Sequence, residues 1–214
     1  PVLSNFNDVQ KYVFASKKNG NGLPKFHIKI NTGMNRLGIP LNQIENLRSL
    51  IKNTKTCEGL CTHFAQASLE GSALTRRQIK EFQYAYSYLS SFYLSEIHAA
   101  NTAAILSEKL LKQISFTNIV RPGIGMYGYA DKAGNKAGLK PALSLKAKVI
   151  ESRVLPKNAR VGYSGTFLTK SNTEQSVLSI GYGDGFHRTL SNKKIIIGNK
   201  TTQVLGRVSM DMIS

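Results

Sequence analysis

The chain has 214 residues, of which 41% are hydrophobic, enough to bury a sizeable core in one or two domains. Its 29 Lys and Arg against 12 Asp and Glu give a formal net charge of +17, which raises nucleic acid as a possible partner. The basic residues are scattered rather than gathered into one run or stripe, so the composition argues against nucleic-acid binding. No stretch has the pattern of a signal peptide or a membrane span, and we expect a cytoplasmic protein.

The first part of the chain alternates predicted helices with predicted strands. Apolar residues three and four apart predict helices over residues 7–18 (with Asn7 as N-cap), 41–51 and 75–92, and another beginning at 101–102. Residues 20–24 are expected to end the first helix. Alternating or short apolar runs predict strands over residues 26–31, 56–64, 95–98 and 115–120. This alternation is typical of a parallel α/β sheet, as in a (β/α)₈ barrel.

Both cysteines fall in one of these predicted strands. Cys57 and Cys61 are four residues apart, roughly 13 Å at the rise of a strand, which is too far for a disulfide between them. A reducing compartment is therefore expected.

The stretch 26–39, FHIKINTGMNRLGI, combines a strand with a sharp turn. Its first half alternates apolar and polar side chains, and Gly33 and Asn35 can take the positive φ that a turn over residues 32–35 needs. Such a turn would hold Arg36 over the end of the strand as a fixed cation. The alternative is an ordinary strand and turn whose Lys and Arg are solvated on the surface.

Polar residues follow or end several of the predicted strands. In a (β/α)₈ barrel the functional site lies at the carboxyl ends of the strands, so these side chains are expected to lie near one another. They are Lys29, Arg36, His63, His98, Asn101 and Arg121.

The composition changes near residue 132. Residues 131–140, DKAGNKAGLK, are polar and Gly-rich, which predicts a linker. Beyond it the helical period disappears, and strands are predicted over residues 143–155, 175–180, 194–197 and 203–208, with a hairpin turn at 198–199. We therefore divide the chain into a domain at 1–137 and a second, mainly β domain at 138–214.

Seven sequence blocks occur here in the order and spacing of alanine racemases. They are HIKINTGMNRLGI at 27–39, THFA at 62–65, HAANTAA at 98–104, RPGIGMYG at 121–128, VGYSGT at 161–166, IGYGDG at 180–185 and GRVSMD at 206–211. The chain thus resembles the alanine racemase family over nearly its whole length.

The resemblance implies an enzyme that uses pyridoxal 5′-phosphate (PLP) to interconvert L- and D-alanine, supplying D-alanine for peptidoglycan. It implies the C-terminal part of a (β/α)₈ barrel followed by part of a mainly β domain, in a homodimer that binds the small-molecule substrate alanine. We therefore expect an α/β fold of this kind.

The resemblance also assigns catalytic roles. Tyr163 matches the base that acts on L-alanine, and His63 and Arg121 match residues that support it, Arg121 also facing the pyridine nitrogen of PLP. Because a free phenol has a pKa of about 10, such a base needs cationic or hydrogen-bonding neighbours. Outside this motif, Tyr163 would be read as an ordinary aromatic residue of a strand.

Further positions match binding residues of the family. Arg36 matches a contact to the cofactor and the substrate carboxylate, and Lys29 matches a lysine that many members carry in carbamylated form. Asn31 replaces the usual aspartate, which leaves the charge balance there open. The other matched positions are Tyr182, Met210 and Asp211 for substrate, and His63, Asn101, Thr102, Arg121, Gly123 and Ile124 for cofactor.

Several residues keep simpler interpretations. Met210 could be a core methionine, and His98 is expected to hold its strand end. His27, His187 and Arg188 are expected on the solvated surface. No His, Cys and carboxylate residues have metal-ligand spacing in the sequence, so no metal site is predicted.

The lysine that holds PLP in this family has no counterpart in these motifs. The chain opens at Pro1 and stops in an apolar run, so we expect a fragment. Three hypotheses stay open: a piece of an alanine racemase, an inactive remnant of a degenerate racemase gene, or a basic module that binds a polyanion. Preference among alanine, serine and other small amino acids is also left open.

Overall fold

The computed structural model describes residues 1–19, 23–92, 94–130 and 137–214. These form two compact units, Pro1–Leu143 and Ser144–Ser214. The predicted linker at 131–140 lies outside the described residues over 131–136, as does most of the predicted helix-ending segment over 20–22.

The first unit contains a parallel sheet. Its strands pair in the order β1, β2, β4, β5, β6, and β3 pairs with the C-terminal end of β2. Every one of these pairings is parallel. The strands are β1 (Val2–Leu3), β2 (Phe26–Asn31), β3 (Ile39–Pro40), β4 (Cys57–Cys61), β5 (Glu96–Ala100) and β6 (Ile119–Val120).

In the described part of this unit, five α-helices connect or follow these strands. They are α1 (Phe6–Lys18), α2 (Ile44–Ile51), α3 (Ala73–Leu89), α4 (Thr102–Ile105) and α5 (Glu108–Gln113). The N-cap predicted for α1 was wrong by two residues: Asn5, not Asn7, is extended, and its side-chain oxygen accepts the Asp8 N–H at 2.8 Å. The predicted helix start at 101–102 is confirmed, with Asn101 as the cap. None of the helices in the described ranges combines the length and the apolar content that a membrane span needs.

The core of this unit lies between the sheet and its helices. On β2, Phe26, Ile28 and Ile30 are fully buried, whereas the alternate residues of the strand are half-buried. Apolar faces of the helices pack against this side, for example Leu47 of α2 and Phe82 of α3. The period-two pattern therefore leaves the opposite face of β2 to polar side chains, which is the face that carries the candidate site.

The strand predicted over 115–120 is much shorter than expected. Only Ile119–Val120 pairs, because residues 114–117 form a turn closed by the Thr117 N–H on the Ile114 carbonyl at 2.8 Å. Asn118 then ties this turn to the start of β5, donating to the Ser95 carbonyl at 2.6 Å and accepting the Ile97 N–H at 2.8 Å. The side chain of Asn118 thus adds two contacts to β5 beside its own backbone bond, in which the Asn118 N–H donates to the Ile97 carbonyl at 2.9 Å.

The second unit is mainly β. Its strands are β7 (Val149–Leu155), β8 (Arg160–Val161), β9 (Phe167–Leu168), β10 (Thr173–Leu178), β11 (Lys194–Ile197) and β12 (Lys200–Gln203). They form three antiparallel pairs, β7 with β10, β8 with β9, and β11 with β12. A parallel sheet flanked by helices in the first unit, followed by a mainly β second unit, confirms the predicted α/β fold class.

Two details of this unit bear on the predictions. The hairpin turn at Gly198 and Asn199 is confirmed, with Gly198 at φ 60° between paired Ile197 and Lys200. The strand predicted over 203–208 was wrong, because the paired segment is Lys200–Gln203 and the chain turns at Gly206 with φ 80°.

Candidate active site

The turn after β2 is built by the side chain of Asn31. Its Oδ1 accepts the N–H groups of Gly33 and Asn35, each at 3.1 Å, and its Nδ2 donates to Asn35 Oδ1 at 3.0 Å. Gly33 has φ 117° and Asn35 has φ 55°, which confirms the predicted positive φ values. Arg36 follows directly and is exposed beyond this local structure.

Arg121 lies where three acceptors meet. It follows β6, and its Nη1 donates to Nδ1 of buried His98 on β5. Its Nη2 donates to the Thr62 carbonyl at 2.5 Å and contacts His63 Nδ1 at 3.5 Å, both just after β4. A planar guanidinium can satisfy these acceptors together, which a lysine ammonium could not do with the same geometry.

The segment that carries His63 is held in place by a side chain of α3. Gln78 of α3 donates to the His63 carbonyl at 2.9 Å, and its Oε1 accepts the Ala65 N–H at 2.9 Å. The buried hydroxyls of Thr32 and Thr62 are 2.7 Å apart and connect this segment to the turn after β2. The two loops that carry Arg36 and His63 are thus held together by buried polar contacts.

The electrostatics of this end of the sheet are dominated by cations. Burial lowers the pKa of Lys29, and nearby Arg36 and Arg121 lower it further, opposed by the Cys61 thiol. Burial also lowers the pKa of His63, with Arg121, Arg36 and Lys29 acting in the same direction. Among the described residues, no carboxylate contributes to either shift, so this end is suited to an anion.

Thr102 joins α4 to the segment after β6. Its Oγ1 accepts the N–H groups of Gly123 and Gly125 at 3.0 and 3.1 Å. Because both lone pairs of the oxygen are used, its hydroxyl hydrogen is left to donate. Gly125 is required by close approach, since a Cβ there would lie 2.8 Å from Thr102 Cγ2. Gly123 and Ile124, also predicted for cofactor, lie in the same segment and are exposed.

Asn101 has both ends of its side chain engaged by the protein. Its Oδ1 caps α4 by accepting the Ala104 N–H at 3.2 Å, and its Nδ2 donates to the Phe64 carbonyl at 3.2 Å. The Asn101 side chain therefore connects the loops that follow β4 and β5.

In the second unit, three predicted residues line one cleft of about 320 Å³. Tyr163 is 70% exposed there, and Tyr182 and Met210 face the same cleft. The exposure of Met210, 57%, contradicts the alternative of a core methionine. Tyr163 is presented by a turn between Gly162, at φ 72°, and Ser164, at φ 61°.

The walls of this cleft are joined by backbone contacts. The Tyr182 N–H donates to the Ser209 carbonyl at 2.9 Å, and the Gly183 N–H donates to the Met210 carbonyl at 2.8 Å. Gly181 is needed because a Cβ there would collide with the Met210 carbonyl. Asp211 is exposed on the same segment but does not line the cleft.

Comparison with known proteins assigns the chain to a family. A family model described as "Alanine racemase, N-terminal domain" matches residues 1–131, and one described as "Alanine racemase, C-terminal domain" matches residues 142–214. The chain belongs to the alanine racemase family.

Individual relatives agree with this family. The alanine racemase of Hahella chejuensis is 37% identical over 195 residues, which is 87% of this chain and 50% of that protein. The solved alanine racemase of Streptomyces coelicolor is similar with a TM-score of 0.83 and 26% identity, over 99% of this chain and 57% of that one. The Bartonella henselae enzyme, solved with covalently bound pyridoxal phosphate, shares the fold with a TM-score of 0.82 and 24% identity, over 100% of this chain and 58% of that one. The chain thus spans about half the length of the curated relatives it matches.

The structure adds residues to the candidate racemase site that the sequence reasoning missed. Arg188, Arg207 and Ser209 also line the cleft of the second unit, and the Arg188 guanidinium lies 5.2 Å from the centre of the Tyr182 ring. Arg188 was expected to be plain surface; it is exposed, but it also faces the cleft. The adjacent GRVSMD block carries Arg207 and Ser209 and could have pointed to them.

One acidic cluster was also invisible in the sequence. His27, Glu58 and Glu96 come from three different strands, and their ligand atoms lie within 4.8 Å of one another. Both carboxylates already have protein partners: Lys25 is 2.5 Å from Glu58, and His27 Nε2 is 2.9 Å from Glu96.

Proposed function

We propose that this chain supplies part of a PLP-dependent alanine racemase site, with Tyr163 as the base that acts on L-alanine. The observation that supports this most strongly is the meeting of Lys29, His63 and Arg121 at the carboxyl ends of parallel strands. Cations that lower one another's pKa are costly to keep together, and a bound anion would offset that cost.

The donor set at this end of the sheet fits PLP. The Thr102 hydroxyl hydrogen and the backbone N–H of Ile124 are suited to the phosphate, while the Gly123 N–H donates to Thr102 Oγ1 and keeps this segment in place. Arg36 and Arg121 can only donate hydrogen bonds. When bound, PLP supplies an electron sink that weakens the Cα–H bond of an attached amino acid. The protein then has to orient the substrate and move one proton on each face of Cα.

Arg121 and His63 would prepare this proton transfer. Arg121 keeps its protons and would present an N–H, rather than a carboxylate, to the pyridine nitrogen. Since His63 Nδ1 faces Arg121, which can only donate, the proton of a neutral His63 would lie on Nε2 and could be donated to another group. We assign that group as the Tyr163 phenol of a partner copy, in the homodimer expected for the family.

The cleft beside Tyr163 would determine which substrate is bound. Tyr182 and Met210 border it, and Arg188 and Arg207 add positive charge that suits an amino-acid carboxylate. A cleft with these bulky borders favours a small side chain, so we assign alanine as the substrate.

Lys29 is proposed as a carbamylated residue. Its lowered pKa increases the fraction of neutral amine, which can add to CO₂ to give a carbamate while releasing one proton. The product would place a negative charge near Arg36, where Asn31 supplies none. Carbon-13 NMR of the chain under ¹³CO₂ should show a carbamate signal that disappears in Lys29→Gln.

The assignment of Tyr163 is tested by joining this chain to the N-terminal barrel segment of the Hahella relative. We expect the joined protein to bind PLP and to racemise alanine, as measured by D-alanine production from L-alanine. In Tyr163→Phe, exchange of the L-alanine Cα hydrogen with D₂O should fall by about 10²–10⁴-fold, the usual worth of a positioned base. Exchange of the D-alanine Cα hydrogen should persist.

Tyr84→Phe serves as the matched control, because Tyr84 is an exposed tyrosine on α3, in the other unit from Tyr163. It should leave exchange of both enantiomers unchanged. Undiminished exchange of L-alanine in Tyr163→Phe would overturn the assignment of the base. Failure of the joined protein to racemise alanine while binding PLP would overturn the proposed activity itself.

A further inference from the structure

A line of hydrogen bonds runs from Arg121 across the polar face of the sheet to a carboxylate. Arg121 Nη1 contacts His98 Nδ1, His98 Nε2 lies 2.7 Å from His27 Nδ1, and His27 Nε2 lies 2.9 Å from Glu96 Oε2. The strand register produces this line, because Gly59 on β4 stands level with both His27 and Glu96.

The two ends of this line determine which ring nitrogen carries the proton in each imidazole between them. A guanidinium can only donate and a carboxylate can only accept. His98 must therefore accept at Nδ1 and carry its proton on Nε2, which donates to His27 Nδ1. His27 in turn carries its proton on Nε2, which donates to Glu96. Both imidazoles are neutral in this arrangement, and no donor or acceptor in the line is left unmatched.

Gly59 makes the middle of the line possible. A Cβ at this position would lie 2.7 Å from His27 Cγ and 2.7 Å from the Glu96 carbonyl oxygen. The imidazole of His27 thus occupies the space where a side chain on β4 would stand, which lets it reach from β2 to β5. The two imidazole rings lie 4.9 Å apart between centroids, in a tilted contact.

We propose that Glu96 and His27 are positioning residues for Arg121: the Glu96 carboxylate fixes the tautomers of His27 and His98, which keeps His98 Nδ1 as an acceptor that orients the guanidinium. This inference rests on the proposed function only in that Arg121 is the group meant to meet the cofactor. If Glu96 could not accept, His27 could place its proton on Nδ1. His98 Nε2 would then have to accept, and its Nδ1–H would face a guanidinium that cannot accept a hydrogen bond.

The test measures the tautomers of the histidines by NMR and does not depend on enzyme activity. The chain contains 4 His, so two-bond ¹H–¹⁵N correlation spectra of the ¹⁵N-histidine-labelled 214-residue chain can be assigned with single His→Gln variants. We expect His27 and His98 both as Nε2–H tautomers at pH 7. In ¹⁵N-arginine-labelled chain, the Nη signals of Arg121 should be resolved, because rotation about its Cζ–Nη bonds is restrained.

Three variants make the inference falsifiable. Glu96→Leu should mix the His27 tautomers and average the Arg121 Nη signals. Glu96→Gln should restore both, because its side-chain carbonyl still accepts. Glu58→Leu is the matched control: it removes the neighbouring carboxylate, which pairs with Lys25 instead, and should change neither signal.

An Nδ1–H tautomer of His98 in the wild type would overturn the inference. So would unchanged tautomers in Glu96→Leu, or the same change in Glu58→Leu as in Glu96→Leu. The spectra are recorded without PLP, so they stand whether or not the proposed racemase function holds. D-alanine production from L-alanine by the joined protein tests that function separately.

Discussion

Acidification should weaken the first unit through His98. This imidazole is 4% exposed and accepts a hydrogen bond from Arg121, so protonation would remove an acceptor and place two cations in contact. Burial, Arg121 and His27 lower the pKa of His98 from an ordinary 6.5 to about 4. Unfolded chains therefore take up a proton at His98 in a pH range where folded chains do not.

This difference in proton binding sets the direction and the size of the change in the free energy of unfolding with pH. Between pH 6.5 and 4 the unfolded state binds more protons, so the free energy of unfolding falls as the pH falls. The linkage relation gives a loss of about 2 kcal/mol between pH 7 and 5 from His98 alone. The pKa of His63 is also lowered, so its contribution has the same sign.

Urea unfolding followed by far-UV circular dichroism at pH 7, 6 and 5 measures this loss. The variant His98→Gln isolates the effect, because an amide can accept from Arg121 and donate to His27 but does not titrate. We expect the pH dependence of the variant to be shallower than that of the wild type by about 2 kcal/mol over this range. The reasoning would be refuted if the two proteins had equal pH dependence, or if the wild type were more stable at pH 5 than at pH 7.

Three further predictions concern single positions. Gly59→Ala should lower the free energy of unfolding by about 1–3 kcal/mol in the same urea assay, because its methyl group would press on a neighbouring backbone carbonyl; an unchanged midpoint would contradict this packing. In the joined protein, Thr102→Val should weaken PLP binding by roughly 10- to 100-fold in an absorbance titration, whereas Thr102→Ser should bind as the unchanged joined protein does; equal loss in both would show that the hydroxyl is not the donor. Burial raises the pKa of the Cys57 thiol to about 12, so neither it nor buried Cys61 should react with an aromatic disulfide reagent at pH 8 until urea is added.

The first unit could be predicted well because its signals are local and periodic. The alternation on β2 and the turn residues Gly33 and Asn35 specify both the buried face and the bend that precedes Arg36. The rule that parallel strands place their carboxyl ends together was enough to expect Lys29, His63 and Arg121 near one another, and their mutual electrostatic effects bear this out.

What the sequence could not give depends on register between distant strands. The line from Arg121 to Glu96 requires that His27, Gly59 and Glu96 stand level, which no local pattern encodes. Short paired segments such as Val2–Leu3 and Arg160–Val161 have no period to detect. Conversely, the apolar residues of 203–208 suggested a strand that Gly206 interrupts.

The Asn31 turn has a consequence for the order in which this end of the sheet forms. Its three hydrogen bonds join residues no more than four positions apart, so closing it costs far less chain entropy than any pairing of strands. Contacts of such short sequence separation can form without waiting for distant parts of the chain to meet. The bend before Arg36 can thus be in place while the strands that surround it are still searching for their neighbours.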